Sequence, residues 1–253
     1  MRGAQSHIGA CFPTGQHYPG IADRIAAAIQ SVQGLADEFA PGKGWREVPL
    51  VIIDFETTGT DPSVDRVIEM GMVGFLGAEI EFCEGLLIDP KMAIPAESTA
   101  VHGITDEEVS GAPTFFEALP RILELLEARL PVAYNANFDR RFLLAELDRV
   151  HEALPTDRPL PPAMRQEVIW LDPLVWAREL LKELKSRKLG EVAAHLNVPL
   201  EQAHRAAGDA EATGRVLLAL APQMPTMYGE LIRLQTRYGA FQEAEFARFR
   251  SRR

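Results

Sequence analysis

The run Leu50-Val51-Ile52-Ile53 breaks directly into Asp54-Phe55-Glu56, and no other stretch constrains the fold as strongly. A short unbroken apolar run of this kind predicts a strand buried on both faces, which requires packed layers above and below it. Residues i and i+2 of a strand share a face, so the carboxylates of Asp54 and Glu56 project together while Phe55 packs on the other side. Two adjacent carboxylates repel unless a cation lies between them, and their hard oxygens suit Mg2+ or Mn2+ better than zinc. The plainer alternative for an isolated pair is a strand that simply ends in polar residues. Here Thr57-Thr58-Gly59-Thr60 follows at once, with hydroxyls and a flexible turn at the strand's C-terminal end, where open α/β sheets place ligands.

Around that strand the chain divides into three parts. Residues 1–19 form an aperiodic arm, and Ile21 to Phe39 carries apolar residues at helical spacing until Pro41-Gly42-Lys43-Gly44 interrupts it; an N-terminal arm and helix over 1–47 is expected. The segments Arg66–Phe75 and Glu79–Asp89, joined by the turn Leu76-Gly77-Ala78, predict an antiparallel hairpin. Thr114 and Glu117 make a capping box for a helix whose apolar face is Phe115, Leu119, Ile122, Leu123, Leu126 and Leu130. A short strand at Val132–Asn135 runs into a helix from about Phe138 to His151. After the Pro-rich loop 156–167, Val168–Pro173 reads as a fifth strand, with helices following around 173–186, 188–196 and 206–221. Three strands followed by alternating helices and strands predict an α/β sheet domain over 48–222. The tail 223–253 is helix-permissive and carries six arginines against three glutamates.

Charge points away from a general polyanion binder. The chain has 36 Asp+Glu against 26 Lys+Arg, a formal charge of -10, and non-specific affinity for nucleic acid comes mainly from Lys and Arg displacing counterions. Much of the excess is local, with nine acids and only Arg66 between Asp54 and Asp89. Cys11 and Cys83 provide neither a disulfide framework nor a CxxC pair, so a reducing, cytoplasmic setting is expected. No stretch approaches the roughly 18 apolar residues of a membrane span, so no membrane partner is expected.

Further carboxylates lie downstream. Asp139, in Asn135-Ala136-Asn137-Phe138-Asp139, is either a helix-dipole partner in a first turn or a ligand carried up beside Asp54. His204 and Asp209 are five residues apart, about 140° around a continuous helix. They share a pocket only if His204 precedes the helix on a loop.

Taken in order, the Asp54/Glu56 motif, the Asp139 motif and the His204/Asp209 motif resemble the DEDDh (DnaQ-like) 3′–5′ exonucleases, a group that includes the proofreading subunit of bacterial replicative DNA polymerase. The resemblance spans about residues 48–222 and includes Asp65–Val73, Val101–Thr105 and the 209–217 helix. It implies an RNase H-like fold, a five-stranded mixed sheet with an antiparallel second strand, flanked by helices, here with extra N- and C-terminal helices. It also implies two divalent ions, Mg2+ or Mn2+, on four carboxylates: Asp54, Glu56 and Asp209 as direct ligands, and Asp139 completing the second site through water. His204 is implied as general base. Thr57, Thr58 and Gly59 are implied near the 3′ end. His102 is implied near the sugar or base, with a loop-ordering hydrogen bond as its alternative. Asn135 supports the site or caps the helix bearing Asp139, and Phe138 stacks on a base or is a buried packing residue. Trp45, Trp170 and Trp176 are assigned to packing.

The implied substrate is the 3′ end of single-stranded or frayed DNA, with a polymerase or repair protein as partner. An exoribonuclease with the same chemistry is the near alternative. A non-catalytic polymerase-associated subunit is disfavoured because all five positions are intact. A calcium module is disfavoured by the missing oxygen-rich 12-residue loop.

Overall fold

A computed structural model describes residues 33–200 and 205–250. The sheet is built from β1 (Leu50–Thr57), β2 (Val67–Leu76), β3 (Glu79–Leu87) and β4 (Leu130–Val132), in the order β3-β2-β1-β4. The β1/β2 and β2/β3 pairs are antiparallel and β1/β4 is parallel. Helices follow as α1 (Ala96–His102), α2 (Asp106–Val109), α3 (Phe115–Leu126), α4 (Asn137–Arg149), α5 (Pro173–Leu180), α6 (Leu189–His195), α7 (Ala206–Leu220) and α8 (Tyr228–Arg250).

β1 is covered on both faces, as its composition requires. Leu50 and Ile52 join Val73, Phe75, Trp176, Val216, Leu217 and Leu231 in one core under α5, α6, α7 and α8. Val51, Ile53 and Phe55 join Met70, Met72, Leu119, Ile122, Phe142 and Leu143 in a second core under α3 and α4. By period two, Asp54 and Glu56 fall on the α7 side, just past Ile52.

Among the described residues the sheet has four strands, not the expected five. Val168–Pro173 contributes one isolated parallel bridge, Val132 to Leu171, held by Ala133 N–H to the Leu171 carbonyl at 3.1 Å and Leu171 N–H to the Pro131 carbonyl at 2.9 Å. Pairing cannot extend, because Asp172 turns to cap α5 and Pro173 opens that helix. The side chain of Gln235 on α8 takes the place of a neighbouring strand. It donates to the Trp170 carbonyl at 2.8 Å and accepts from the Asp172 N–H at 2.9 Å and from Trp176 Nε1 at 3.2 Å.

Other boundaries shift for local reasons. The Thr114/Glu117 capping box is present, but Leu130 lies in β4 instead of on the α3 face, and β4 ends at Val132 instead of Asn135. α5 stops at Leu180, where the Arg187 guanidinium takes the carbonyls of Leu181 and Lys182, each at 2.9 Å. Most of the expected N-terminal helix lies outside the described residues, and its final portion, 33–39, is turn and coil. Ala36, Phe39 and Trp45 pack into the same core as Tyr228, Leu231 and Ile232, with Trp45 Nε1 donating to the Pro225 carbonyl at 2.9 Å. No helix among the described residues is long and apolar enough to cross a membrane.

Candidate functional site

Asp54, Glu56 and Asp209 converge, with one carboxylate oxygen of each lying within 4.8 Å of the others. The convergence depends on a close approach of backbone to backbone. α7 begins at Ala206 directly over β2, where a Cβ on Gly71 would collide with the Ala206 carbonyl and the Ala207 nitrogen. Gly71 is the register partner of Asp54. A helix seated there delivers Asp209, in its first turn, to the carboxylates of β1. His204 itself lies outside the described residues.

Asp139 is buried and tied into the same region. β4 stops at Val132, so the Phe55 N–H beyond it has no strand to pair with, and Asp139 Oδ1 accepts it at 3.0 Å. Asp139 is not among the three whose oxygens cluster within 4.8 Å, although its charge acts on Asp54.

Burial, followed by repulsion from Asp139, Asp209, Glu56 and Glu69, holds the Asp54 carboxyl well above the usual carboxylate range. Glu56 is pushed up to about 7 by burial and by Asp209 and Glu69, partly offset by Arg205. Burial also raises Asp139 and outweighs its bond from Phe55. Such a cluster strains the protein unless protons or cations neutralise it, and its all-oxygen donor set fits a hard divalent ion.

The pH dependence has a definite sign. Between 4.5 and about 7 the folded chain keeps a proton on Glu56 that the unfolded chain has released, so this group's contribution is lost as pH rises through that window. In EDTA, the melting temperature of the wild-type protein should fall relative to Glu56→Gln between about pH 5 and pH 8. Added Mg2+ should restore more of it at the upper end, because protons compete with the cation there least. Parallel curves for the two proteins would refute the assignment.

Three supporting residues are not among the site residues expected from the sequence. Glu69, the register partner of Glu56, is buried, accepts the Ala206 N–H at 3.0 Å and pairs with Arg205 at 2.7 Å. It holds the entry to α7 while Arg205 offsets its charge. Asp172 accepts from the N–H groups of Asn135, Ala136 and Leu174 at 2.9–3.1 Å, fixing the starts of α4 and α5 together. Glu69 is the only charged residue in β2, a signal available in the sequence.

A cleft of about 570 Å³ opens beside the carboxylates, lined by Glu56, Thr57, Thr58, Gly59, His102 and Phe138 among others. Thr57 Oγ1 donates to the Gly59 carbonyl at 2.6 Å. Thr58 Oγ1 donates to Asp65 at 3.2 Å and accepts the Arg66 N–H at 3.0 Å. Both hydroxyls are therefore engaged in shaping the turn. His102 ends α1, and the left-handed Gly103, at φ 77°, turns the chain. Its Nδ1 accepts the Ile104 N–H at 3.0 Å, and burial lowers its pKa, so the ring presents a neutral face to the cleft. Phe138 packs against Phe142 with ring centroids 4.9 Å apart and still borders the cleft. Asn135 is exposed at φ 65°, and no side chain caps α4; its backbone makes the bond to Asp172. Val101, from the segment noted in the sequence, lines the cleft together with Glu97 and Ser98, which the sequence did not single out, and Ser98 Oγ anchors α1 to the Thr58 carbonyl at 2.7 Å.

Residues 51–217 match the family model RNase T, described as Exonuclease. The chain is 36% identical over 199 residues to the PolC-type DNA polymerase III of Thermotoga maritima, an alignment covering 79% of this chain and 14% of that protein. It is 37% identical over 167 residues to that of Clostridium perfringens, covering 66% and 11%. The match thus spans about one-seventh or less of the length of these relatives. Among solved structures, exonuclease X in complex with 5′ overhanging duplex DNA superposes with a TM-score of 0.57 at 21% identity, covering 74% of this chain and 99% of that one. The nuclease domain of 3′hExo, a DEDDh family member bound to rAMP, gives 0.57 at 18% identity, covering 72% and 95%. These likenesses establish a shared fold.

Proposed function

The chain belongs to the exonuclease family, in its DEDDh (DnaQ-like) group, and we propose that it hydrolyses phosphodiester bonds from the 3′ end of single-stranded or frayed DNA. The observation that carries this reading is the meeting of Asp54, Glu56 and Asp209 within 4.8 Å, from strand and helix segments far apart in sequence. These three carboxylates would hold the metal directly, with Asp139 completing a second position from its seat on the Phe55 N–H. Divalent ions held there would supply activation of a water and stabilisation of charge on the leaving 3′ oxygen. His204 takes the proton from the attacking water, the general-base role that imidazole side chains most often fill. His102, Phe138 and the 57–59 turn seat the terminal nucleotide. Mg2+ or Mn2+ fits the donor set.

DNA is favoured over RNA because the curated relatives are named as DNA polymerases; a polymerase is the inferred partner on the same ground. The bound rAMP of one structural neighbour keeps RNA as the alternative polymer. Incubation with 5′-labelled single strands of DNA and RNA of equal sequence, in Mg2+, Mn2+ or EDTA, should give a metal-dependent ladder shortening from the 3′ end, faster on DNA. Failure to cut either polymer under any metal sinks the proposal. His204→Ala should lower turnover by roughly a hundredfold or more while leaving metal-induced thermal stabilisation intact; near-wild-type turnover removes His204 from the mechanism.

A further inference from the structure

On the α5/α8 side of the molecule two hollows, of about 860 and 590 Å³, share Arg178, Arg187 and Phe246 and so form one groove. Its near end is at Asn135, whose carbonyl accepts the Phe138 N–H at 2.9 Å. Phe138 borders the carboxylate cleft, so the groove begins where the cleft ends.

The groove's charge is opposite to that of the chain. Lys182 pairs with Glu179 at 3.7 Å, and the remaining lining holds Arg178, Lys185, Arg187, Lys188 and Arg237 beside the tail pair of charges Glu245 and Arg248. Lys185 and Lys188 are exposed. In a protein of formal charge -10, this concentration of cations along one path selects an anionic polymer. Aromatic rings are interleaved with the cations. Phe241 and Phe246 are 59% and 47% exposed, with the Arg237 guanidinium 5.7 Å and the Arg178 guanidinium 4.9 Å from their ring centroids. Large rings left in water on a helix whose other face is packed gain nothing for the fold. Cations for phosphates with ring platforms for bases are the two components of a sequence-tolerant single-strand site.

We propose that this groove carries the single-stranded nucleic acid behind the terminal nucleotide, with backbone phosphates along Lys185, Arg187 and Lys188 and bases stacked on Phe246 and Phe241. The direction of entry rests on the exonuclease reading; the grip itself does not. From Arg237 to Arg248, α8 adds about 16 Å of path, so affinity should grow with strand length well beyond the nucleotides held in the cleft.

Fluorescence anisotropy in EDTA, which needs no catalysis, tests this with labelled single strands of about 4 and about 16 nucleotides, the span of single-strand site sizes. The wild-type protein should bind the longer strand at least tenfold more tightly. The variant K185Q/K188Q/R237Q should lose that advantage and reduce the salt slope by roughly 2, at about 0.7 per phosphate contact. F241A/F246A should weaken long-strand binding by roughly fivefold or more at an unchanged salt slope, the signature of lost stacking. Both variants change exposed residues, and wild-type melting curves would establish that they fold. Length-independent affinity, or variants that bind the long strand as the wild type does, would overturn the proposal and leave the groove to a protein partner. A wild type that grips long strands in EDTA but cuts none in Mg2+ defeats the exonuclease reading and spares the groove.

Discussion

Asp54→Asn should abolish metal-dependent hydrolysis and at the same time raise the melting temperature of the metal-free protein. The loss follows from removing a central ligand. Metal catalysis supplies several kcal/mol of charge stabilisation, and about 4 kcal/mol corresponds to a thousandfold in rate, so turnover should drop by at least that factor. The gain in stability has a separate cause. Asp54 is the carboxyl most crowded by its neighbours, with Asp139, Asp209, Glu56 and Glu69 all raising its pKa on top of burial. An amide of the same shape carries no charge to desolvate and repels none of the four. Hydrolysis assays paired with calorimetry in EDTA and in Mg2+ read both effects. A variant that melts lower than wild type in EDTA would mean that the cluster is held by favourable contacts and is not waiting for a cation, which would undercut the metal centre.

Gly71→Val should be as damaging to activity without touching a single carboxylate. The obstacle to a side chain at Gly71 is the backbone of Ala206 and Ala207, which cannot rotate away as a side-chain tip can. Overpacking costs typically 1–3 kcal/mol, and with backbone as the obstacle about 3 kcal/mol or more is expected here. α7 must lift or slide, and Asp209 moves with it, away from Asp54 and Glu56. Gly85 on β3 is the matched comparison. It is the register partner of Gly71, yet a Cβ there meets nothing nearer than Glu69 Oε1 at 3.5 Å, so Gly85→Ala should fold and bind metal like the wild type. Thermal melts with and without Mn2+ distinguish the two. If Gly71→Val kept both its melting temperature and its metal-induced shift, the close approach would not be what positions Asp209.

The sequence shows the parts of this molecule that obey short-range rules. Period two in Leu50–Glu56 places Asp54 and Glu56 on one face, the Leu76–Ala78 turn marks the hairpin, and Thr114 with Glu117 marks the start of α3. Each rule spans only a few residues. What is hidden depends on partners far along the chain. Asp172 serves amides 36 and 37 residues away, and Glu69 serves one 137 residues away; the lone charge in β2 marks Glu69 as unusual, but no local pattern names the partner of either residue. The fifth strand fails for a reason present in the sequence but easily outvoted, since Val168–Leu171 has strand composition while Pro131 and Pro173 confine the pairing on either side. The basic groove is invisible in one dimension because its two halves, 178–188 and 237–248, meet only when α5 packs on α8.

Gln235 also determines how other chains can approach. By taking the carbonyl of Trp170 and the N–H of Asp172, it closes that margin of the sheet to any peptide that would attach by extending the hydrogen-bonded ladder. The opposite margin is β3, where Glu79, Glu81 and Glu84 stud the outermost strand and discourage the same mode of attachment. An incoming protein therefore meets a stoppered border on one side and, on the other, one studded with charged side chains, Glu79 and the Glu81–Arg129 and Glu84–Arg121 pairs. Recruitment is left to helical surfaces and loops, and intermolecular strand stacking, the usual route from an open sheet to aggregates, is hindered at both borders by side chains far from the carboxylate cluster.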